Sequence, residues 1–336
     1  MDERVAVIGA GSWGTTLARV VTSAGRPALL YSRRQDLCDE INSTHTNSAY
    51  LPDIHLPACL EATADLERVA RESSLILFVV PSHGFRDTAR ELGNYLTGEH
   101  VVVHATKGIE QATHRRMSEV LREETCLRKI GVLSGPNLAR ELAAGQPTGT
   151  LVASSYDEVF RRSHAVLNTD YFRVYGGRDV IGAEVGGAFK NIVALAAGVA
   201  AGLGLGENTK ALLLTRGLSE MARFGVAMGG ELMTFGGMAG IGDLIATCSS
   251  RLSRNQQVGE RLARGESLAD IQGEMRMVAE GVKTARAVHE FAREKGLDLP
   301  IVAAVHRLLH EGGDVPTLLR DLMSIPTGAE FVALAP

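Results

Sequence analysis

Four clusters in the sequence combine residue types and spacings that can do chemistry. The first is Val5-Ala-Val-Ile-Gly9-Ala-Gly11-Ser12-Trp13-Gly14, an apolar run ending in G-x-G-x-x-G and opening into a helical pattern through Leu17 and Val20. In that pattern Gly9 permits a tight turn, Gly11 lets the backbone approach a pyrophosphate, and Gly14 permits close helix packing, with the anion at the helix N-terminus. A glycine-rich turn without a cofactor is the alternative. The strand before it and the helix after it favour the dinucleotide. After the next apolar run stand Ser32-Arg33-Arg34, where an NAD-selective enzyme places an acidic ribose ligand. Two guanidiniums suit a 2′-phosphate, so NADPH is favoured over NADH. Asp36 keeps NADH use open, and a solvated arginine pair fits the same residues.

Val79-Val80-Pro81-Ser82-His83 and Ala105-Thr106-Lys107-Gly108 each follow a strand directly, at the carboxyl edge where open α/β sheets bind ligands. Lys107 could meet substrate or cofactor phosphate there, or be an ordinary exposed lysine. Lys190 sits where a charge-free helix from Asn191 begins. A charge at that point is costly without partners, so it is either a snorkelling lysine or a general acid/base with a lowered pKa. Asp243, in a glycine-flanked loop, could orient Lys190 by charge pairing or could cap a turn. Ser253 reads as an N-cap with Arg254 and Asn255 in the first turn. Backbone N–H groups, the dipole and a guanidinium then converge as for a phosphate, unless the helix is simply capped and the arginine solvated. His306 and His310 share a helix face at i, i+4, but no third ligand is evident, so a surface helix and no metal are expected.

The elements that position these residues follow from periodicity. Continuous apolar runs at Val5 to Ile8, Ala28 to Tyr31, Leu75 to Val80, Val101 to His104 and Ile130 to Leu133 predict strands buried on both faces, with two more at Thr150 to Ala153 and Phe172 to Tyr175. Helical patterns such as Gly84 to Leu96 and Thr113 to Glu124 alternate with them, which predicts an N-terminal Rossmann-type, doubly wound, mostly parallel sheet. From Val180 onward only helical patterns occur. The expected division is therefore 1–179, dinucleotide-binding, and 180–336, all-helical and substrate-binding, with Gly176-Gly177-Arg178-Asp179 as boundary.

With 35 basic against 39 acidic residues, the formal charge of −4 gives no field that would draw the chain to nucleic acid or a membrane. The charge-free stretch from Asn191 to Gly206 is shorter than the roughly 20 residues of a bilayer crossing and rich in Ala and Gly, so it is expected as a buried helix whose small side chains admit close backbone approach. Cys38, Cys59, Cys126 and Cys248 form no C-x-x-C pair, and Met1-Asp2-Glu3-Arg4 shows no signal-peptide pattern; both point to the cytoplasm.

Taken in order, Gly9-Ala-Gly-Ser-Trp-Gly-Thr15, Tyr50-Leu-Pro52, Val80-Pro-Ser-His83, Lys107-Gly-Ile-Glu110, Ser134-Gly-Pro136, Gly186-Gly-Ala-Phe-Lys-Asn191, Gly206-Glu-Asn-Thr-Lys210, Gly242-Asp-Leu244 and Ser253-Arg-Asn255 are specific. On these motifs the chain resembles the soluble NAD(P)-dependent glycerol-3-phosphate dehydrogenases over essentially its whole length. The resemblance implies cofactor contacts at Ser12, Trp13, Arg33, Arg34, Lys107, Ala139, Arg254, Val278 and Glu280, and substrate contacts at Lys107, Gly135, Asn137, Lys190, Asp243, Ser253, Arg254 and Asn255, with Lys190 as proton acceptor. It further implies reduction of dihydroxyacetone phosphate to sn-glycerol 3-phosphate, supply of phospholipid synthesis, and a homodimer. Tyr31 stands where the family often has Trp, and Asn137-Leu138 replaces its Ser-Phe or Thr-Phe. The rival readings are a 3-hydroxyacid or 6-phosphogluconate-type dehydrogenase and a catalytically inactive NADPH sensor. The Ser249 to Asn255 loop argues against the first, and retention of Lys107, Lys190, Asp243 and Arg254 together against the second.

Overall fold

Apolar runs too short for helices pair through their backbones, and this gives the first half its sheet. The computed structural model describes residues 4–275 and 279–323. Its strands are β1 (Val5–Ile8), β2 (Ala28–Tyr31), β3 (Leu60–Thr63), β4 (Leu75–Phe78), β5 (Val101–His104), β6 (Lys129–Ser134), β7 (Thr148–Ala153) and β8 (Phe172–Gly177). Their order is β3-β2-β1-β4-β5-β6-β7-β8. β1 to β6 run parallel, β7 pairs antiparallel with β6, and β8 runs parallel to β7. The chain changes direction across the sheet between β1 and β4, the point at which open parallel sheets bind ligands.

Alternate side chains feed two cores. Val5 and Val7 face α1 (Ser12–Ser23), α2 (Gln35–Thr44) and the later α7 (Asp157–Leu167), with α6 (Ala139–Ala143) contributing Leu142. Ala6 and Ile8 face α3 (Leu66–Glu72), α4 (Ser82–Gly93) and α5 (Met117–Glu124). Each fully buried Val, Leu or Phe in these layers contributes about 1.5–3 kcal/mol. Helices on both faces make the sheet doubly wound.

The elements differ from expectation in several places. β3 is an additional strand, the expected strand from Leu75 ends at Phe78, and α5 starts at Met117 rather than Thr113. The last has a local cause: Arg116 is extended, and its N–H donates to the Glu119 carboxylate at 2.9 Å, which closes the helix start there.

After β8 the described residues are helical: α8 (Val180–Gly202), α9 (Glu207–Ala227), α10 (Leu232–Phe235), a π-helical turn Met238–Gly242, α11 (Asp243–Ser249), α12 (Arg254–Ala263), α13 (Leu268–Glu274), α14 (Glu280–Lys295), α15 (Pro300–His310) and α16 (Val315–Met323). Residues through Lys107 together with Arg115–Glu184 pack as one compact unit, and Gly108–His114 with the chain from Val185 onward as another.

The sequence understates α8. It has 23 residues, long and apolar enough to cross a membrane, and Lys190 lies in its middle rather than at its start. Burial, at 83% of its most apolar window, marks it as a core helix where length does not. Its small residues do admit close approach: a Cβ at Gly198 would run into the Gln256 carbonyl of α12, and one at Gly259 into the Leu195 carbonyl. The first turn of α8 is fixed by Glu184, which accepts from Arg116 Nη1 at 2.6 Å and from the Ser118 N–H and hydroxyl at 2.7 Å each, with His104 Nε2 at 3.1 Å. Burial alone would raise this carboxyl, but His104, Arg116 and the Ser118 N–H outweigh it and hold it at about 2.

Candidate active site

In the sheet unit, the glycine turn has the geometry a pyrophosphate needs. Gly9 has φ +112, a left-handed conformation in which a Cβ would sit 2.5 Å from the Val79 carbonyl oxygen, and a Cβ at Gly14 would run into the Gly9 carbonyl. Gly11 is the N-cap of α1, and a Cβ there would project into open space. The turn is braced from below by Asn47, wholly buried, which donates to the Ala10 carbonyl at 3.0 Å and to Thr15 Oγ1 at 2.8 Å. Ser12 Oγ donates to the Tyr50 carbonyl at 2.6 Å. Trp13 Nε1 is buried with no hydrogen-bond partner among the described residues. An orphaned donor beside an open glycine N-cap fits a bound dinucleotide.

Arg33 and Arg34 follow β2 and are exposed, and Arg34 is held by Asp36, Nη2 to Oδ2 at 2.5 Å and Nε to Oδ1 at 3.2 Å. Lys107 follows β5, and its Nζ donates to the Gly135 carbonyl at 3.3 Å, so these two candidates do come together. Gly135 itself has φ +152. Asn137 directs its amide inward: Nδ2 donates to the Gly149 carbonyl at 3.1 Å and Oδ1 accepts from Thr150 at 2.9 Å. Ala139 opens α6, with its carbonyl accepting from Thr16 at 3.2 Å.

In the helical unit, Lys190 on α8 is 6% exposed and forms an ion pair with Asp243, 1% exposed. Asp243 is the first residue of α11, directly after the π turn, not a loop residue, and Thr247 one helical turn on donates to its Oδ1 at 3.3 Å. The dry setting also pushes the neighbouring Cys248 thiol up to about 12, through burial. Losing one member of such a pair strands the other charge at a cost of about 3–5 kcal/mol, so the pair is a precise placement of an ammonium more than a stabilising contact.

Ser253 is the N-cap of α12, its side chain accepting from the Gln256 N–H at 3.4 Å. Arg254, next to it, is exposed. Asn255 is buried and doubly engaged: Nδ2 donates to Asn191 Oδ1 at 3.0 Å, and Oδ1 accepts the Gly281 N–H at 2.9 Å. Through these bonds the residue after Lys190 is tied to the residue after Glu280, the first of α14. Val278 lies outside the described residues. Asn47 and Thr247 escape a reading of the sequence: Asn47 braces the glycine turn through Ala10 and Thr15, and Thr247 bonds Asp243, contacts that leave no periodic signal.

Comparison with known proteins shows the family of the chain. Residues 4–160 match the NAD-dependent glycerol-3-phosphate dehydrogenase N-terminus, and residues 179–320 match the C-terminus of the same family. The chain belongs to the NAD-dependent glycerol-3-phosphate dehydrogenase family. It is 47% identical over 330 residues to the glycerol-3-phosphate dehydrogenase [NAD(P)+] of an Exiguobacterium species, covering 97% of both chains. With that of Bacillus thuringiensis it shares 43% over 323 residues, 95% of both. The crystal structure of glycerol-3-phosphate dehydrogenase from Coxiella burnetii superposes with a TM-score of 0.92 at 35% identity, over 96% of this chain and 99% of that one. A ketopantoate reductase from Ralstonia eutropha, at 16% identity and a TM-score of 0.59, shares the fold alone. As a member of that family the chain is an NAD(P)-dependent oxidoreductase.

Proposed function

We propose that the enzyme reduces dihydroxyacetone phosphate to sn-glycerol 3-phosphate with NADPH favoured over NADH, and that Lys190 handles the proton. The observation that carries the assignment is the buried Lys190–Asp243 pair. Asp243 holds the ammonium in place, and the dry surroundings let it donate to an oxygen whose negative charge is developing, where such stabilisation is strongest. The bound nicotinamide supplies the hydride, and in the oxidative direction Lys190 takes the proton back. Ser253, Arg254 and Asn255 would hold the substrate phosphate at the start of α12. Because the Asn255 side chain already bonds Asn191 and Gly281, its share falls to its backbone N–H and its second amide hydrogen. Lys107, Gly135 and Asn137 complete substrate binding, with Gly9, Gly11, Ser12, Trp13, Gly14, Arg33, Arg34, Ala139 and Glu280 on the cofactor. Supply of glycerol 3-phosphate to phospholipid synthesis, a cytoplasmic location and a homodimer belong to the same reading.

Turnover of Lys190→Ala tests it. Loss of the general acid should lower kcat roughly 10²- to 10⁴-fold while fluorescence still reports NADPH binding. Since Lys190→Ala leaves the Asp243 carboxylate buried alone, the variant will unfold at lower temperature; Lys190→Met with Asp243→Asn removes both charges together and should recover stability without recovering activity. A folded single variant within about tenfold of the parent would pass the role to Lys107.

A further inference from the structure

The i, i+4 histidine pair predicts a surface helix, yet His306 is 8% exposed, and its ring stacks on that of His289 from α14, centroids 4.0 Å apart and planes 13° from parallel. Glu311, the C-cap residue of α15, brings Oε1 to 3.2 Å from His306 Nδ1. The buried Nδ1 makes no well-aligned hydrogen bond among the described residues. A ring nitrogen and a carboxylate oxygen 3.2 Å apart are at the spacing of two ligands of one ion. Tetrahedral ligands at about 2.0–2.2 Å from zinc lie roughly 3.3–3.5 Å apart. One ligand atom each from His289, His306 and Glu311 lie within 4.8 Å of one another. His310, the partner suggested by i, i+4 spacing, is engaged elsewhere, its Nε2 lying 3.2 Å from the Val282 carbonyl.

We propose that His289, His306 and Glu311 bind one divalent transition ion of the imidazole-preferring class, zinc being the type, with water completing the coordination. Burial lowers the pKa of both imidazoles. Glu290 and Glu311 bring negative charge and Arg286, Arg293 and Arg307 positive charge to the surroundings, so the ion adds to a mixed field. A cavity of about 180 Å³, lined by His289, Arg293 and Asp298 among others, adjoins His289. Parallel rings cannot both hold an ion in their planes, so occupancy turns His289, the less buried ring, out of the stack. The bound ion then clamps α14 to the end of α15.

The test is titration of the chelator-treated full chain with Zn²⁺ against a competing chromophoric chelator, alongside thermal unfolding. One equivalent should bind and raise Tm, and Mg²⁺ should do neither. His289→Gln and Glu311→Gln should each weaken binding roughly tenfold to hundredfold or more. The Glu311 site is exposed, so its variant keeps the parent Tm without zinc and isolates the ligand role from folding, which buried His306 would not. Absence of stoichiometric binding, or equal binding by the His289→Gln, Glu311→Gln double variant, would overturn the proposal. Equal binding would mean that the ion sits on other groups, such as Cys59 or Cys126.

Discussion

Cofactor choice comes down to a competition at Arg34. Its guanidinium is already paired with Asp36, but both side chains are exposed, and an exposed ion pair is worth about 0–1 kcal/mol. A charged hydrogen bond to a 2′-phosphate is worth about 1.5–3 kcal/mol, so under the proposed NADPH preference a bound phosphate would displace the aspartate. Arg33→Ala combined with Arg34→Ala should therefore lower the preference for NADPH over NADH roughly tenfold to hundredfold for each phosphate hydrogen bond removed, read from kcat/KM with each cofactor. Equal losses for the two cofactors would remove the arginines from the ribose site. At this scale the sequence is most informative where charge is out of place: a lysine in an apolar helix calls for a partner, and Asp243 is that partner. It is silent on Glu184 and Arg116, 68 residues apart, because nothing in either local pattern points to the other.

At the scale of elements, the contact between α8 and α12 sets where the first turn of α12, proposed to hold the substrate phosphate, sits. Gly198 faces the Gln256 carbonyl, two residues beyond Arg254, and a methyl has no flexible neighbour to displace. Gly198→Ala should force the helices apart, costing about 1–3 kcal/mol or more and raising KM for dihydroxyacetone phosphate more than KM for NADPH, as thermal unfolding and steady-state kinetics would show. An unchanged Tm would mean that the helix pair slides at no cost. The Ala and Gly content of the stretch after Asn191 anticipates this close approach. The strand β3 escapes a reading of periodicity, since Leu60-Glu61-Ala62-Thr63 is short, carries a charge and follows Pro57, all of which read as loop. Asp243 reads as a loop residue for a related reason: the flanking glycines that suggest a loop build a π turn running directly into α11.

At the scale of the whole molecule, two buried carboxyls give stability opposite dependences on pH. Glu220 on α9 accepts the Ile301 and Val302 N–H groups at 2.8 and 3.2 Å, capping α15 from a distance, yet burial outweighs those bonds and raises its pKa from 4.5 to about 7. Its contribution is full below pH 4.5 and is lost as pH rises through 7, by up to about 3 kcal/mol. Glu184, held at about 2, behaves oppositely: its contribution is present above pH 4.5 and is lost as pH falls through 2. Denaturant unfolding between pH 5 and 8 should thus show stability declining in the parent and flat in Glu220→Gln; parallel slopes would mean that the carboxyl is ionised throughout. The order of the strands also decides how molecules behave toward one another at high concentration. β3 forms one margin of the sheet, and its Glu61 is bonded by Arg4, which precedes β1, and by Arg68 of α3, each of which also bonds Glu72 at the end of α3, at 2.6 to 2.9 Å. A strand from another molecule could add there only by stripping water from this closed ring of charges. A formal charge of −4 is too small to hold molecules apart by long-range repulsion in physiological salt, so protection against strand-to-strand aggregation at this margin rests on four side chains.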